Sequence, residues 1–152
     1  MKVDEIMSER FTVISDQASI REAAEMMCNF AVGVLPVINS GRLVGILTDR
    51  DIAVRGVAAG CDPNQTRVTE FMTDGVVTCH AADGIEQAIE SMSAHHVRRL
   101  VVLNLEEEIA GILSVDDLAH GLVGEHKLAE LMRALPEAGP GSEQEAPRAP
   151  QG

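Results

Sequence analysis

The chain has 152 residues, with 12 Lys and Arg against 24 Asp and Glu, for a net charge of −12. It contains no Trp, no Tyr and only three Phe. Binding a nucleic-acid polymer requires a basic footprint and aromatic stacking platforms, and this composition supplies neither. A phosphate compound would have to be held by a local positive spot, against the overall field.

Other classes are excluded in turn. No run of about 18 apolar residues exists to span a membrane, and Met1-Lys2-Val3-Asp4-Glu5 lacks the apolar core of a secretory leader. Cys28, Cys61 and Cys79 are odd in number and scattered, with no CxxC pair. They fit a reducing compartment, so a cytoplasmic location is expected.

In chain order, Phe11-Thr12-Val13-Ile14 reads as a short strand. Ile20, Ala23, Ala24 and Met27 follow helical spacing, with Ser19 and Glu22 as a capping box. Cys28, next to Met27, is expected on the buried face. Val34 to Ile38 and Leu43 to Leu47 flank Asn39-Ser40-Gly41 and predict a hairpin. Their continuous apolar character predicts cover on both sheet faces. A second helix starts at Thr48. Residues 56–66 form a linker with Gly60, Pro63 and Asn64, helical at its start over Val57-Ala58-Ala59.

The same order then recurs. A shift of 65 lays Val3–Asn39 on Val68–Asn104 with 11 identities in 37 positions, among them Met7/Met72, Ile20/Ile85, Met27/Met92 and Leu35/Leu100. One inserted residue moves the register to 66, matching Gly45-Ile46-Leu47 to Gly111-Ile112-Leu113 and Asp51 to Asp117. The second copy has a strand over Val76–Cys79 and a helical face of Ile85, Ala88, Ile89 and Met92, capped by Asp83 or Gly84. Leu100–Leu103 and Ile109–Leu113 flank Glu106-Glu107-Glu108, and a helix starts at Ser114. A period this long indicates a duplicated small domain of form β-α-β-β-α. Beyond Gly124, residues 125–135 place Leu128, Leu131, Met132 and Leu135 on one helical face, and the Pro/Gly/Glu-rich 136–152 are expected to be disordered.

Two pairs of segments carry a family resemblance. Ile6-Met7-Ser8 and Phe71-Met72-Thr73 open the copies. Gly45-Ile46-Leu47-Thr48-Asp49-Arg50-Asp51 and Gly111-Ile112-Leu113-Ser114-Val115-Asp116-Asp117 close their hairpins. Over residues 1–122 the chain resembles a tandem pair of CBS domains (a Bateman module) of the stand-alone bacterial type. The resemblance implies an α/β chain of the α+β type, with two β-α-β-β-α repeats packed sheet to sheet in pseudo-twofold symmetry. Residues 1–66 would be the first domain with its linker, 67–123 the second, and 124–152 a short helix and tail. It further implies a homodimer and a non-enzymatic sensor that binds AMP, ADP, ATP, NAD or S-adenosylmethionine in clefts by the repeats and acts on an unidentified regulated protein.

The residues suggest how such a ligand would be held. A carboxylate can accept both ribose hydroxyls, and Asp51 with Thr48, or Asp117 with Ser114, offers one. The same Thr/Ser-x-x-Asp spacing is also a plain helix cap. Adenine would lie near Thr12, Val13, Ile14, Val34, Leu35 and Pro36 in copy one, or Thr78, Cys79, Val97 and Leu100 in copy two; core packing is the competing role. Arg98, Arg99 and Arg50 are candidates for phosphate, whose oxygens suit a guanidinium fork, or for surface ion pairs with Glu106–Glu108 or Asp116-Asp117. Arg99 aligns with Val34 and Val101 with Pro36, so the two sites are expected to bind unequally. His95-His96 and Cys79-His80 raise a metal or redox switch, but without usual ligand spacing. A ligand-independent interaction or stress-response scaffold is a further alternative. No P-loop, GxSxG or HExxH pattern suggests an enzyme.

Overall fold

The computed structural model describes residues 1–121, 129–130 and 132–133. These divide into two compact units, one of Phe11–Val76 and one joining Met1–Arg10 to Val77 and the residues after it. In the first unit, β1 (Ile14–Ser15) lies parallel to β2 (Val34–Asn39), which pairs antiparallel with β3 (Arg42–Thr48). Helix α1 (Ile20–Phe30) joins β1 to β2, and a π-helix, Asp51–Val57, follows β3. In the second unit β4 (Thr78–His80), β5 (Arg99–Leu103) and β6 (Ile109–Ser114) repeat this topology, with α2 (Ile85–His95) and α3 (Val115–Gly121) in the equivalent places. Both hairpins carry a register shift at the same point, after Val37 and after Val102. The architecture is α+β with two three-stranded sheets, as the repeat predicts.

Local chemistry explains the elements. Ser19 Oγ accepts the Glu22 amide at 3.1 Å while Glu22 Oε2 accepts the Ser19 amide at 2.9 Å, the reciprocal cap expected for α1. Gly84 is the cap residue of α2, with Gln87 reaching back to its amide. Ala31 and His96 end the two helices in the left-handed conformation, at φ 53° and 54°. Ile20, Ala23 and Met27 of α1 join Leu35, Val37 and Leu47 in one core. Ile85, Ala88 and Met92 of α2 join Leu100, Val102 and Leu113 in the other.

Three expectations need correction. Ala24 and Cys28 are exposed: they lie four residues apart on the flank of α1, one step round from the Ile20–Ala23–Met27 stripe. The first strand is Ile14–Ser15, so Phe11, Thr12 and Val13 precede it. Pro36 accounts for the loss of Val13 from β1, the position that Thr78 fills opposite Val101 in β4. In the second unit the Val101 amide donates to Val77 O at 3.3 Å, but Pro36 stands at the Val101 position and has no N–H to give. The strand expected at Val76–Cys79 likewise sits later, at Thr78–His80. Finally, the helix after β3 continues to Val57, inside the segment assigned to the linker. The helix expected over 125–135 and the tail 136–152 fall mostly outside the described residues; Ala129, Glu130, Met132 and Arg133 are helical. Among the described residues no helix is long and apolar enough to cross a membrane.

The opening segment of each repeat is exchanged. Residues 1–10 complete the unit of the second repeat: the Val3 amide donates to Asp83 O at 2.9 Å, and Ser8 and Ile112 exchange amide–carbonyl bonds of 2.9 and 3.0 Å. Thr73 and Ile46 do the same in the first-repeat unit, at 2.9 Å each way. Glycine makes the close approach possible. A Cβ on Gly111 would lie 2.7 Å from Ser8 O and 2.9 Å from Met7 Sδ. Gly111→Ala is therefore expected to destabilise by about 1–3 kcal/mol through overpacking against backbone. Urea denaturation measures this, and an unchanged midpoint would contradict the close approach.

Candidate functional site

Each sheet runs directly into the helix that follows it. In the first unit β3 ends at Thr48. The Asp51 amide donates to Thr48 Oγ1 at 3.0 Å, and Asp51 Oδ2 accepts the Thr48 amide at 2.9 Å. In the second, the Asp117 amide donates to Ser114 Oγ at 3.1 Å. Asp117 Oδ2 accepts both the Ser114 amide and the Ser114 hydroxyl at 2.8 Å. Both pairs are reciprocal caps, and they also set a half-buried carboxylate at the end of the hairpin. Thr48 is only 6% exposed, so it serves mainly to hold Asp51.

Strand register decides what faces these carboxylates. Val34 is the cross-strand partner of Thr48, and Arg99 that of Ser114. One residue earlier, Gly33 O accepts the Asp49 amide at 2.9 Å, and Arg98 O accepts the Val115 amide at 3.0 Å. Asp49 folds over Gly33, where a Cβ would lie 2.9 Å from its Oδ2, and its Oδ1 accepts the Arg50 amide at 2.8 Å. The hairpin end thus carries Gly33-Val34 with Asp49 in one repeat and Arg98-Arg99 with Val115 in the other. Arg50, Arg98 and Arg99 are all half-buried.

The candidate adenine-binding residues divide by burial. Ile14, Leu35, Val97, Leu100 and Cys79 are buried with their side chains in the two cores, so only their backbone groups remain for a ligand. Pro36 is also buried, while Thr12, Val13, Val34 and Thr78 are half-buried. His95 and His96 are exposed at the end of α2, with His95 Nδ1 2.9 Å from Ser91 O. Glu107 is engaged by His80, Nε2 to Oε1 at 2.9 Å, and Asn104 Nδ2 donates to Glu108 at 3.4 Å. Among the described residues no three His, Cys, Asp or Glu side chains come together as a metal site. Sequence reasoning missed one residue beside the carboxylates: Arg55, whose Nη1 lies 3.8 Å from Asp51 Oδ1.

With this geometry in hand, comparison with known proteins identifies the family. The CBS domain model matches residues 3–56 and again residues 68–124, and the chain belongs to the CBS domain family. Hypoxic response protein 1 of Mycobacterium tuberculosis is 33% identical over 132 residues, spanning 86% of this chain and 91% of the relative. Hypoxic Response Protein I, solved with two coordinated zinc ions, superposes with a TM-score of 0.69 at 32% identity, covering 80% of this chain and 99% of that one. PAE2072 of Pyrobaculum aerophilum, solved in complex with AMP, gives a TM-score of 0.70 at 28% identity, covering 88% and 99%. The CBS domain pair of MJ0100, solved with 5′-methylthioadenosine and S-adenosyl-L-methionine, gives 0.68 at 27%, covering 79% and 94%.

Two titrating groups have consequences that can be measured. Burial, helped by Asp83, pushes the Cys79 thiol up to about 11, so the reactive thiolate is scarce at neutral pH. A thiol reagent at pH 8 is expected to modify exposed Cys28 rapidly and Cys79 only on unfolding; native-state labelling of Cys79 would contradict its placement. The hydrogen bond to Glu107 raises the His80 pKa above its ordinary value. A raised folded-state pKa stabilises fully below the unfolded value of about 6.5, and the contribution is lost as pH rises through the folded pKa. An NMR titration is expected to show the His80 midpoint falling in Glu107→Gln, and an unmoved midpoint would reject this bond as the cause.

Proposed function

We propose that the protein is a non-enzymatic regulatory module that binds an adenosine-containing ligand and passes the binding event to another protein. The observation that carries the reading is the Thr48/Asp51 and Ser114/Asp117 pair of caps, each holding a half-buried carboxylate where the hairpin turns into its helix. Ribose hydroxyls are donors, and a carboxylate already fixed by its own cap accepts them without further ordering. In this reading Asp51 and Asp117 take ribose. Thr12, Val13, Val34 and Pro36, or Thr78 with the backbone at Val97 and Leu100, border the base, and Arg50, Arg98 and Arg99 face phosphate. With no Trp or Tyr in the chain, adenine is held by aliphatic walls and backbone hydrogen bonds.

The relatives solved with AMP and with S-adenosyl-L-methionine support the ligand class. A cytoplasmic homodimer acting on a separate regulated protein completes the proposal.

The test is a thermal-shift panel of AMP, ADP, ATP, NAD and S-adenosylmethionine. A ligand at 100 times its dissociation constant adds about 2.7 kcal/mol to stability. At least one compound is expected to raise the melting temperature, and Asp51→Ala/Asp117→Ala is expected to abolish the rise. No shift with any compound contradicts the function, and a shift retained in the double variant contradicts the site.

A further inference from the structure

The two repeats differ in one backbone acceptor. In the second-repeat unit the Val77 carbonyl accepts the Val101 amide at 3.3 Å, and the ladder between β4 and β5 runs on from there. The 65-residue register puts Thr12 at the Val77 position and Pro36 at the Val101 position. Proline has no N–H, and among the described residues no amide donates to Thr12 O. Thr12 is half-buried, and its Oγ1 donates to Met26 Sδ at 3.9 Å, which ties the residue to α1. The first repeat therefore holds an anchored carbonyl oxygen without a protein donor, just before β1 joins β2.

Strand register adds a donor on the same side. Gly33 O accepts the Asp49 amide at 2.9 Å, and Leu35 pairs with Leu47. Hydrogen-bonded and non-hydrogen-bonded pairs alternate along an antiparallel ladder, so the Val34–Thr48 pair between them is of the second kind. The Val34 amide and carbonyl thus point away from β3. They face the side that β1 covers only from Ile14 onward, opposite Val37. Val34 also stands across from Thr48, whose cap partner is Asp51. Backbone groups that can read a base and the carboxylate proposed for ribose therefore share one hairpin end.

We propose that Pro36 sets the base specificity of the protein: it leaves the Thr12 carbonyl to accept the 6-amino group of a purine, so that the first repeat reads adenine and the second, whose equivalent carbonyl is bonded to Val101, does not. The inference rests on the proposed function and adds the atom that selects the base and the repeat that carries it. Adenine presents an amino donor beside ring-nitrogen acceptors. Thr12 O takes the amino group, and the Val34 N–H suits a ring nitrogen. Hypoxanthine has an oxygen in place of the amino group, so two acceptors would meet at the Thr12 contact. A site built around a hydrogen bond rejects the analogue that cannot make it, because the protein group is then left unpaired. Ribose on Asp51 is common to both nucleotides and gives no discrimination.

Titration calorimetry on the native chain with AMP, inosine monophosphate and purine riboside 5′-monophosphate, which lacks the amino group, tests this. AMP is expected to bind about tenfold or more tighter than either analogue. In a carbonyl-resolved NMR spectrum, AMP should move the Thr12 carbonyl carbon and leave that of Val77 in place. Pro36→Val, which copies the second repeat and supplies the missing N–H, should bring the three affinities to within about threefold of one another. Equal affinity of the native chain for AMP and both analogues overturns the proposal. So does an AMP shift at the Val77 carbonyl with Thr12 unmoved, and neither result requires a variant to fold. A folded Pro36→Val that keeps the native preference also overturns it. No binding of any of the three to the native chain fails the proposed function itself, whereas binding without preference fails this inference alone.

Discussion

The reciprocal cap between a hydroxyl residue ending a strand and an aspartate three residues on is the interaction from which the site follows. β6 ends at Ser114 and α3 begins at Val115, with no loop between them. Such a junction exposes the first amides of the helix, and the cap supplies acceptors for them at once. Because Ser114 is tied to Asp117 and paired across the sheet to Arg99, one constraint fixes a carboxylate, a hydroxyl and a guanidinium-bearing position together. Thr48 and Asp51 make the same junction in the first repeat, with Val34 in place of the arginine. A cap does structural work in the unliganded protein, so a site built on one is preorganised without a bound ligand.

Much of this was legible in the sequence because local signals and the internal repeat agree. Ser19 with Glu22, the helical stripes ending at Met27 and Met92, and the Asn39-Ser40-Gly41 turn each have a short-range cause, and the second copy checks the first. What could not be read was long-range or subtractive. The placement of residues 1–10 with the second repeat depends on hydrogen bonds from Val3 and Ser8 to residues some 80 to 100 positions away. The short β1 follows from an N–H that Pro36 lacks. Cys28 was misplaced because the apolar stripe of α1 is narrower than its count of apolar residues suggests. Leu35 and Leu100 have the same composition signal whether they face a ligand or the core, and burial assigns their side chains to the core.

Arg55 shows where a usable signal was overlooked. Within one copy, Asp51 and Arg55 look like an ordinary surface i,i+4 pair, which contributes little. Compared across the repeat, Arg55 with Phe71 against Gly121 with Ile6 is a correlated replacement at two positions far apart in sequence. Differences between internal copies are informative because the fold is held constant between them. Here Asp49, Arg55 and Phe71 distinguish the first repeat and Arg98, Arg99 and Gly121 the second, so a duplicated scaffold carries two chemically unlike hairpin ends. The −12 net charge fits this picture: it excludes a polyanion and leaves room for a single nucleotide at a local arginine pair.

The most direct measurement of the central claim is an AMP titration followed by backbone amide NMR. The account predicts that shifts concentrate at a cap junction, at Thr48 to Asp51 with Val34 or at Ser114 to Asp117 with Arg98 to Leu100. No change at either junction under saturating AMP would contradict it.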